Sequence, residues 1–161
     1  MAKVYTGKVA IPGDQIEAYF KALEETERQR EPFRKSLESL NREFAQYLSR
    51  GLGYRTVRKH AGTIEMFIEF LCRQTDVERI EDITKGIANT HFHTWYKRKV
   101  WDSTPPSELR TSVSRFFEFL ASEKGIVNEK VLGSIKQQPR AISCGKAERS
   151  GASREASSMD S

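Results

Sequence analysis

The stretch that decides the fold is Arg55-Thr56-Val57-Arg58-Lys59-His60-Ala61-Gly62-Thr63-Ile64-Glu65-Met66-Phe67-Ile68-Glu69-Phe70-Leu71. Within it Val57, Ala61, Ile64, Phe67, Ile68 and Leu71 recur at spacings of 4, 3, 3, 1 and 3, one continuous apolar face along an α-helix. Strict apolar–polar alternation, the mark of a half-buried strand, is absent from the chain, and three- and four-residue spacing recurs in its place. The fold class is therefore all-α, and this helix is predicted over 55–74.

Three further helices flank it. One is predicted over 36–50, with Leu37, Leu40, Phe44, Tyr47 and Leu48 on one stripe; Gly51 and Gly53 stop it, one of them in the left-handed C-cap conformation. Another opens after Ile83-Thr84 with Thr84 as N-cap, turns Ile87, His91, Phe92 and Trp95 inward, and ends in Lys97-Arg98-Lys99, cations placed at the negative end of the helix dipole. The last begins in Ser103-Thr104-Pro105-Pro106-Ser107-Glu108, with Thr104 as cap and Pro105 in the first turn. Leu109, Val113, Phe116, Phe117 and Leu120 are its inward face, and Gly125 closes it. A short polar connection, 75–82, joins the middle pair. The expected architecture is a four-helix bundle over 36–135, including a short helix through Val131, Leu132 and Ile135.

The two ends differ from the middle. Residues 1–35 are expected to form an arm or a weakly docked helix, using Ile16, Tyr19, Phe20 and Leu23 and fading into an acidic run, Glu24 to Glu31, before Pro32. Residues 136–161 are rich in Ser, Gly, Arg, Lys and Glu, with almost nothing to bury, and are expected to be disordered.

Composition excludes several classes of function. No run of about 18 apolar residues exists, the longest stretch free of Asp, Glu, Lys and Arg being Gly86 to Tyr96, so no membrane span is expected. The first residues lack the apolar segment of a secretory signal. Two cysteines, Cys72 and Cys144, are too few for a disulfide framework and suit a reducing, cytoplasmic compartment. His91 and His93 stand about 200° apart on a helix and do not share a metal; His91 is read as a core histidine and Cys72 as a buried, inert thiol. No glycine-rich phosphate loop, H-E-x-x-H or G-x-S-x-G motif occurs, so neither catalysis, a metal nor a cofactor is expected; Gly62 is read as a close approach of another backbone.

The polar faces carry more. The 161 residues hold 27 Lys+Arg against 22 Asp+Glu, a net charge of +5. Projected at about 100° per residue, Arg55, Arg58, Lys59 and Gly62 lie opposite the apolar stripe of the second helix, with Thr56 and His60 on its flank. On the fourth helix the outward stripe is Ser107, Thr111, Ser114 and Glu118, with Arg110 on one side and Arg115 on the other. Short hydroxyls between arginines suit the major groove of DNA: both bond phosphate or base edges, and small residues let the helix approach. Lys97, Arg98 and Lys99 are read as further phosphate contacts. The alternative is a pair of ordinary solvated faces on a protein-interaction module, its working surface the acidic stretch Glu24–Glu31 and the amphipathic segment before it.

The run Phe44-x-x-Tyr47-Leu48-x-x-Gly51-Leu52-Gly53-Tyr54-Arg55-Thr56-Val57-Arg58-Lys59-His60, continuing with Thr63-Ile64-x-x-Phe67-x-x-Phe70-Leu71, resembles the entry of the N-terminal SAM-like core-binding domain of tyrosine recombinases, the phage integrases. Ile83-Thr84 resembles that domain's third-helix opening, Pro106-Ser107-x-Leu109-Arg110-x-x-Val113-x-x-Phe116-Phe117-x-Phe119-Leu120 its fourth helix, and Gly125-Ile126 with Asn128 its exit. The likeness covers about residues 40–130; Gly53 stands where Ser is frequent and His60 where Tyr is. It implies an orthogonal bundle lying across double-stranded DNA with its second and fourth helices toward adjacent major grooves. Carried over, that selects Arg55, Thr56, Arg58 and Lys59, with Ser107, Arg110, Thr111, Ser114 and Arg115. The family's His-x-x-Arg pair and a tyrosine C-terminal to the bundle are missing here, so strand cleavage by this chain is not expected. The resemblance thus implies a nucleoid-associated DNA-binding module for integration or recombination, acting beside a full-length recombinase or a second copy on DNA. Charge reversal at Arg58 and Arg110 together is the expected way to abolish binding.

Overall fold

Pro32 sets the first difference between sequence and structure. A proline inside a helix removes one backbone N–H and crowds the preceding turn, which predicts a break. In the computed structural model, which describes residues 2–5 and 10–136 (without the side chains of 134–136), α1 instead runs unbroken over Ile16–Leu48. The turns on either side of Pro32 are held from outside the helix. The Arg30 guanidinium donates to the carbonyls of Cys72 at 2.7 Å and Val77 at 2.6 Å, and also to that of Thr75. Immediately beyond the proline, Phe33 packs against the core and Leu37 is fully inside it. Tertiary contacts thus outweigh the local penalty, and the predicted start at Ser36 is corrected to a helix beginning at Ile16.

The other helices are α2, Tyr54–Gln74; α3, Phe92–Lys99; α4, Pro106–Glu123; and α5, Glu129–Lys136. The described residues contain no strand; one isolated β-bridge joins Val4 to Thr75. The molecule is all-α. α1 and α2 lie antiparallel, Asn41 Nδ2 donating to the Ala61 carbonyl at 3.1 Å while Arg30 reaches the far end of α2. The core is aromatic. Phe44 of α1 meets Phe116 edge-on at 5.3 Å, and Phe67 of α2 meets Phe92 of α3 at 5.0 Å and Phe117 of α4 at 6.3 Å. These edge-to-face pairs align ring edges with ring faces.

The link between α2 and α3 is less polar than its sequence. Val77, Ile80 and Ile83 are buried, and a 3-10 turn covers Ile80–Asp82. Asn128 fastens this link to the other end of the bundle. Its Nδ2 donates to the carbonyls of Ile80 at 2.7 Å and Ile83 at 2.9 Å, while its Oδ1 accepts from the Val131 N–H and caps α5. Val131 is buried and Leu132 packs against the core; the Ile135 side chain and the tail beyond Lys136 lie outside the described residues.

Turn chemistry yields further corrections. Among the described glycines only Gly125 has a positive φ, 66°, so it closes α4 as expected, whereas Gly51 and Gly53 do not adopt the left-handed cap. α4 starts with Pro105 as N-cap and Pro106 in the first turn; the Thr104 hydroxyl is committed to Asp102 at 2.9 Å. A Cβ on Gly62 meets nothing within 4 Å, so no close backbone approach explains that glycine. The turn before α3, Ile87–His91, is π-helical, and Thr84 supports its opening by accepting from the Ile87 N–H at 3.3 Å. One extra residue in that turn shifts the phase of everything after it. Ile87 and Phe92 still point inward, but His93 and Tyr96 are buried while His91 is exposed, which overturns the reading of His91 as the core histidine.

Candidate nucleic-acid interface

Three contacts in increasing register align α2 with α4: Lys59 with Glu108, His60 with Ser112 and Phe67 with Phe117. The two helices therefore run in the same sense, and their N-terminal turns sit together at one end. The seam is built from polar groups that satisfy one another. The Ser112 hydroxyl donates to the Glu108 carbonyl at 3.2 Å, leaving its oxygen to accept from His60 Nδ1 at 2.7 Å. Burial, reinforced by the nearby charges of Arg115 and Lys59 and opposed by Glu108, holds the His60 imidazole below its ordinary pKa. It is a neutral strut, buried rather than on the flank of the polar face as the projection had it.

On either side of the seam the predicted residues divide. Arg55, Thr56, Arg58 and Lys59 of α2 are exposed, as are Ser107, Thr111 and Arg115 of α4. Lys59 forms an ion pair with Glu108, both partly open to solvent, where such pairs contribute little and exchange readily. Arg58 donates to the Tyr54 hydroxyl at 3.1 Å, one turn back along α2. The hydroxyls are less free than the projection implies. Thr111 donates to the Ser107 carbonyl at 2.8 Å and Ser114 to the Arg110 carbonyl at 2.7 Å, so each offers an outside partner its oxygen first.

Arg110 is the residue whose placement differs. It is half-buried, its Nε bonds Asn89 Oδ1 of the π-helical turn at 3.4 Å, and it is one of the charges that lower the His93 pKa, after burial itself. Arg115, by contrast, acts on His60. The two arginines of α4 thus diverge, Arg115 toward α2 and Arg110 toward α3. Arg58 stands about 100° around α2 from Lys59 and bonds Tyr54, while Arg110 bonds Asn89, so neither is engaged at the seam itself.

Lys97, Arg98 and Lys99 are exposed in the last turn of α3, with Lys99 at 4.0 Å from Glu69. Arg98 borders a shallow hollow shared with Phe70, Gln74, His91, Thr94 and Trp95. Cys72 is half-buried, not buried as expected, and burial raises its pKa; Cys144 lies outside the described residues. Among the described residues no group of three His, Cys, Asp or Glu side chains is arranged to hold a metal ion, and no helix is long and apolar enough to cross a membrane.

Sequence projection missed Ser112, whose short side chain looks neutral in a helical wheel but receives His60. It also passed over Tyr54 and Trp101, the two most exposed large apolar side chains described. Their signal was available: each stands just outside an apolar stripe, at a helix start or in a loop. Comparison of the chain with protein families, with curated proteins and with solved structures finds no match.

Proposed function

We propose that the paired N-terminal turns of α2 and α4 bind double-stranded DNA, in the manner of the SAM-like core-binding module that the sequence resembles. The observation that carries this reading is the seam itself. His60–Ser112 and Phe67–Phe117 fasten two parallel helices, and Arg55, Arg58 and Arg115 stand exposed on them. Cations fixed on a rigid scaffold neutralise phosphates without a large ordering cost, and they set the register from which base edges are read. Lys97–Lys99 extend the cationic surface, whereas Arg110, engaged with Asn89, supports the π-helical turn and is not needed as a primary contact. No strand cleavage is assigned to these residues. A module of this kind occupies a recombination site beside, or in competition with, a full-length recombinase or a second copy.

A gel-shift titration with a duplex of about 30 base pairs tests it. Wild-type protein shifts the duplex, and the R58E/R115E double variant does not, while its helical circular dichroism stays unchanged. A double variant that binds as well as wild type removes the assignment of this face.

A second reading has its own support: Ile16, Tyr19, Phe20 and Leu23 form an exposed apolar stripe on α1, followed by acidic residues through Glu31, as a helical protein partner requires. Absence of any DNA shift, together with capture of a partner that is lost in an F20E variant, favours that reading.

A further inference from the structure

Trp101 is 99% exposed and Tyr54 77%, and both belong to the same end of the α2–α4 pair: Tyr54 begins α2, and Trp101 lies in the loop that leads into α4. A tryptophan left fully in water gives up the large gain from burying its ring, and here both of its neighbours in the chain are anchored. On one side Val100 packs against the core, its N–H donating to the Tyr96 carbonyl at 2.8 Å at the end of α3. On the other side, Asp102 is a hub. Its Oδ2 accepts from the Tyr96 and Thr104 hydroxyls, both at 2.9 Å, and its Oδ1 accepts from the Thr104 N–H at 3.1 Å. The indole is therefore presented by a fixed support between two anchored neighbours.

Its surroundings indicate what it meets. A protein interface gathers apolar side chains into a contiguous patch with charge kept to the rim. Trp101 instead stands in the sequence two residues beyond the exposed cations Lys97, Arg98 and Lys99, with Asp102 next to it turned to Tyr96 and Thr104, and Tyr54 precedes Arg55 and lies one turn before Arg58. Single aromatic rings set among cations are the arrangement that binds a polyanion carrying flat, unstacked bases: the cations hold the backbone, and the ring takes the base. In an intact duplex the bases already stack on one another and offer no face.

We infer that Trp101 stacks on an unpaired base, so that the chain prefers DNA in which a base is displaced from the duplex over fully paired DNA. This deepens the DNA-binding reading and rests on it. Tyr54, held by Arg58, offers a second ring at the other helix start.

The test uses the full chain and two end-labelled hairpin duplexes closed by a hexaethylene-glycol linker in place of loop nucleotides, identical except that one carries a single unpaired adenine, replaced by 2-aminopurine for a second readout. By anisotropy, wild-type protein binds the bulged hairpin about tenfold more tightly than the paired one, in the range one stacked base supplies, and it quenches the 2-aminopurine emission. W101A binds the paired hairpin within about twofold of wild type but loses the preference and the quenching; W101F keeps most of both. Because the side chain touches almost nothing, W101A is expected to fold normally, which circular dichroism checks. Wild-type protein that binds the two hairpins equally, or a W101A variant that retains the preference, overturns the stacking while leaving duplex binding in place. Protein that binds neither hairpin overturns the duplex reading itself, and the stacking with it.

Discussion

The two halves of α1 have nearly the same sequence pattern and opposite fates. Ile16, Tyr19, Phe20 and Leu23 repeat at helical spacing, as do Leu37, Leu40, Phe44 and Leu48; the second set is buried, while Phe20 in the first is 55% exposed. The dividing point is Arg30, whose guanidinium gathers the carbonyls at the end of α2. Periodicity says that a helix has an apolar face; it does not say whether the fold supplies something to cover it. What covers the second half is chiefly α2, joined at Phe44 by the rings of Phe116 and Phe119, which α4 brings from more than seventy residues away.

The comparison breaks most visibly if the second half is cut. Phe44→Ala removes a fully buried ring and is expected to cost about 3–5 kcal/mol in urea unfolding, a large part of the stability of an ordinary domain. Arg30→Ala tests the dividing point. It leaves the carbonyls of Cys72, Thr75 and Val77 without that donor, and a loss of about 2 kcal/mol is expected, with fraying of α1 ahead of Pro32 visible as reduced helicity.

Acid sharpens the picture on the covered side. Burial holds His60 and His93 below their ordinary pKa, with nearby cations adding to it. In acid the unfolded chain then takes up protons that the folded chain refuses. Their contribution is intact above about pH 6.5 and declines as pH falls through and below that value. The melting temperature of wild-type protein should drop on acidification, and that of the His60→Gln variant should drop less; parallel curves would show that His60 does not titrate differently on folding. The smallest effect belongs to the uncovered half. Phe20→Ala should change stability by no more than about 0.5 kcal/mol, and a loss like that of Phe44→Ala would mean that the stripe is covered after all.

The same contrast explains what the sequence disclosed. The faces of α2 and α4 were legible because their apolar residues follow an uninterrupted 3.6-residue period. The π-helical turn at Ile87–His91 was not, since one added residue leaves no mark in composition yet exchanges His91 for His93 in the core. Continuity through Pro32 was illegible for a different reason: it depends on Arg30 reaching carbonyls more than forty residues downstream. At the candidate site, the exposed positions of Arg55, Arg58 and Arg115 followed from the helical wheel. The diversion of Arg110 to Asn89 and the use of Ser112 as a seat for His60 required the packing of α4 against its two neighbours.

Salt dependence tests the central claim most directly, because it counts the cations that meet phosphate. If Arg55, Arg58, Lys59 and Arg115 each neutralise one phosphate, log K for a duplex should fall against log salt with a slope of about −4, and the charge-neutralising R58Q/R115Q double variant, which weakens binding without reversing charge, should flatten it by about 2. A slope near zero for the wild type, or one that the double variant leaves unchanged, would contradict the account.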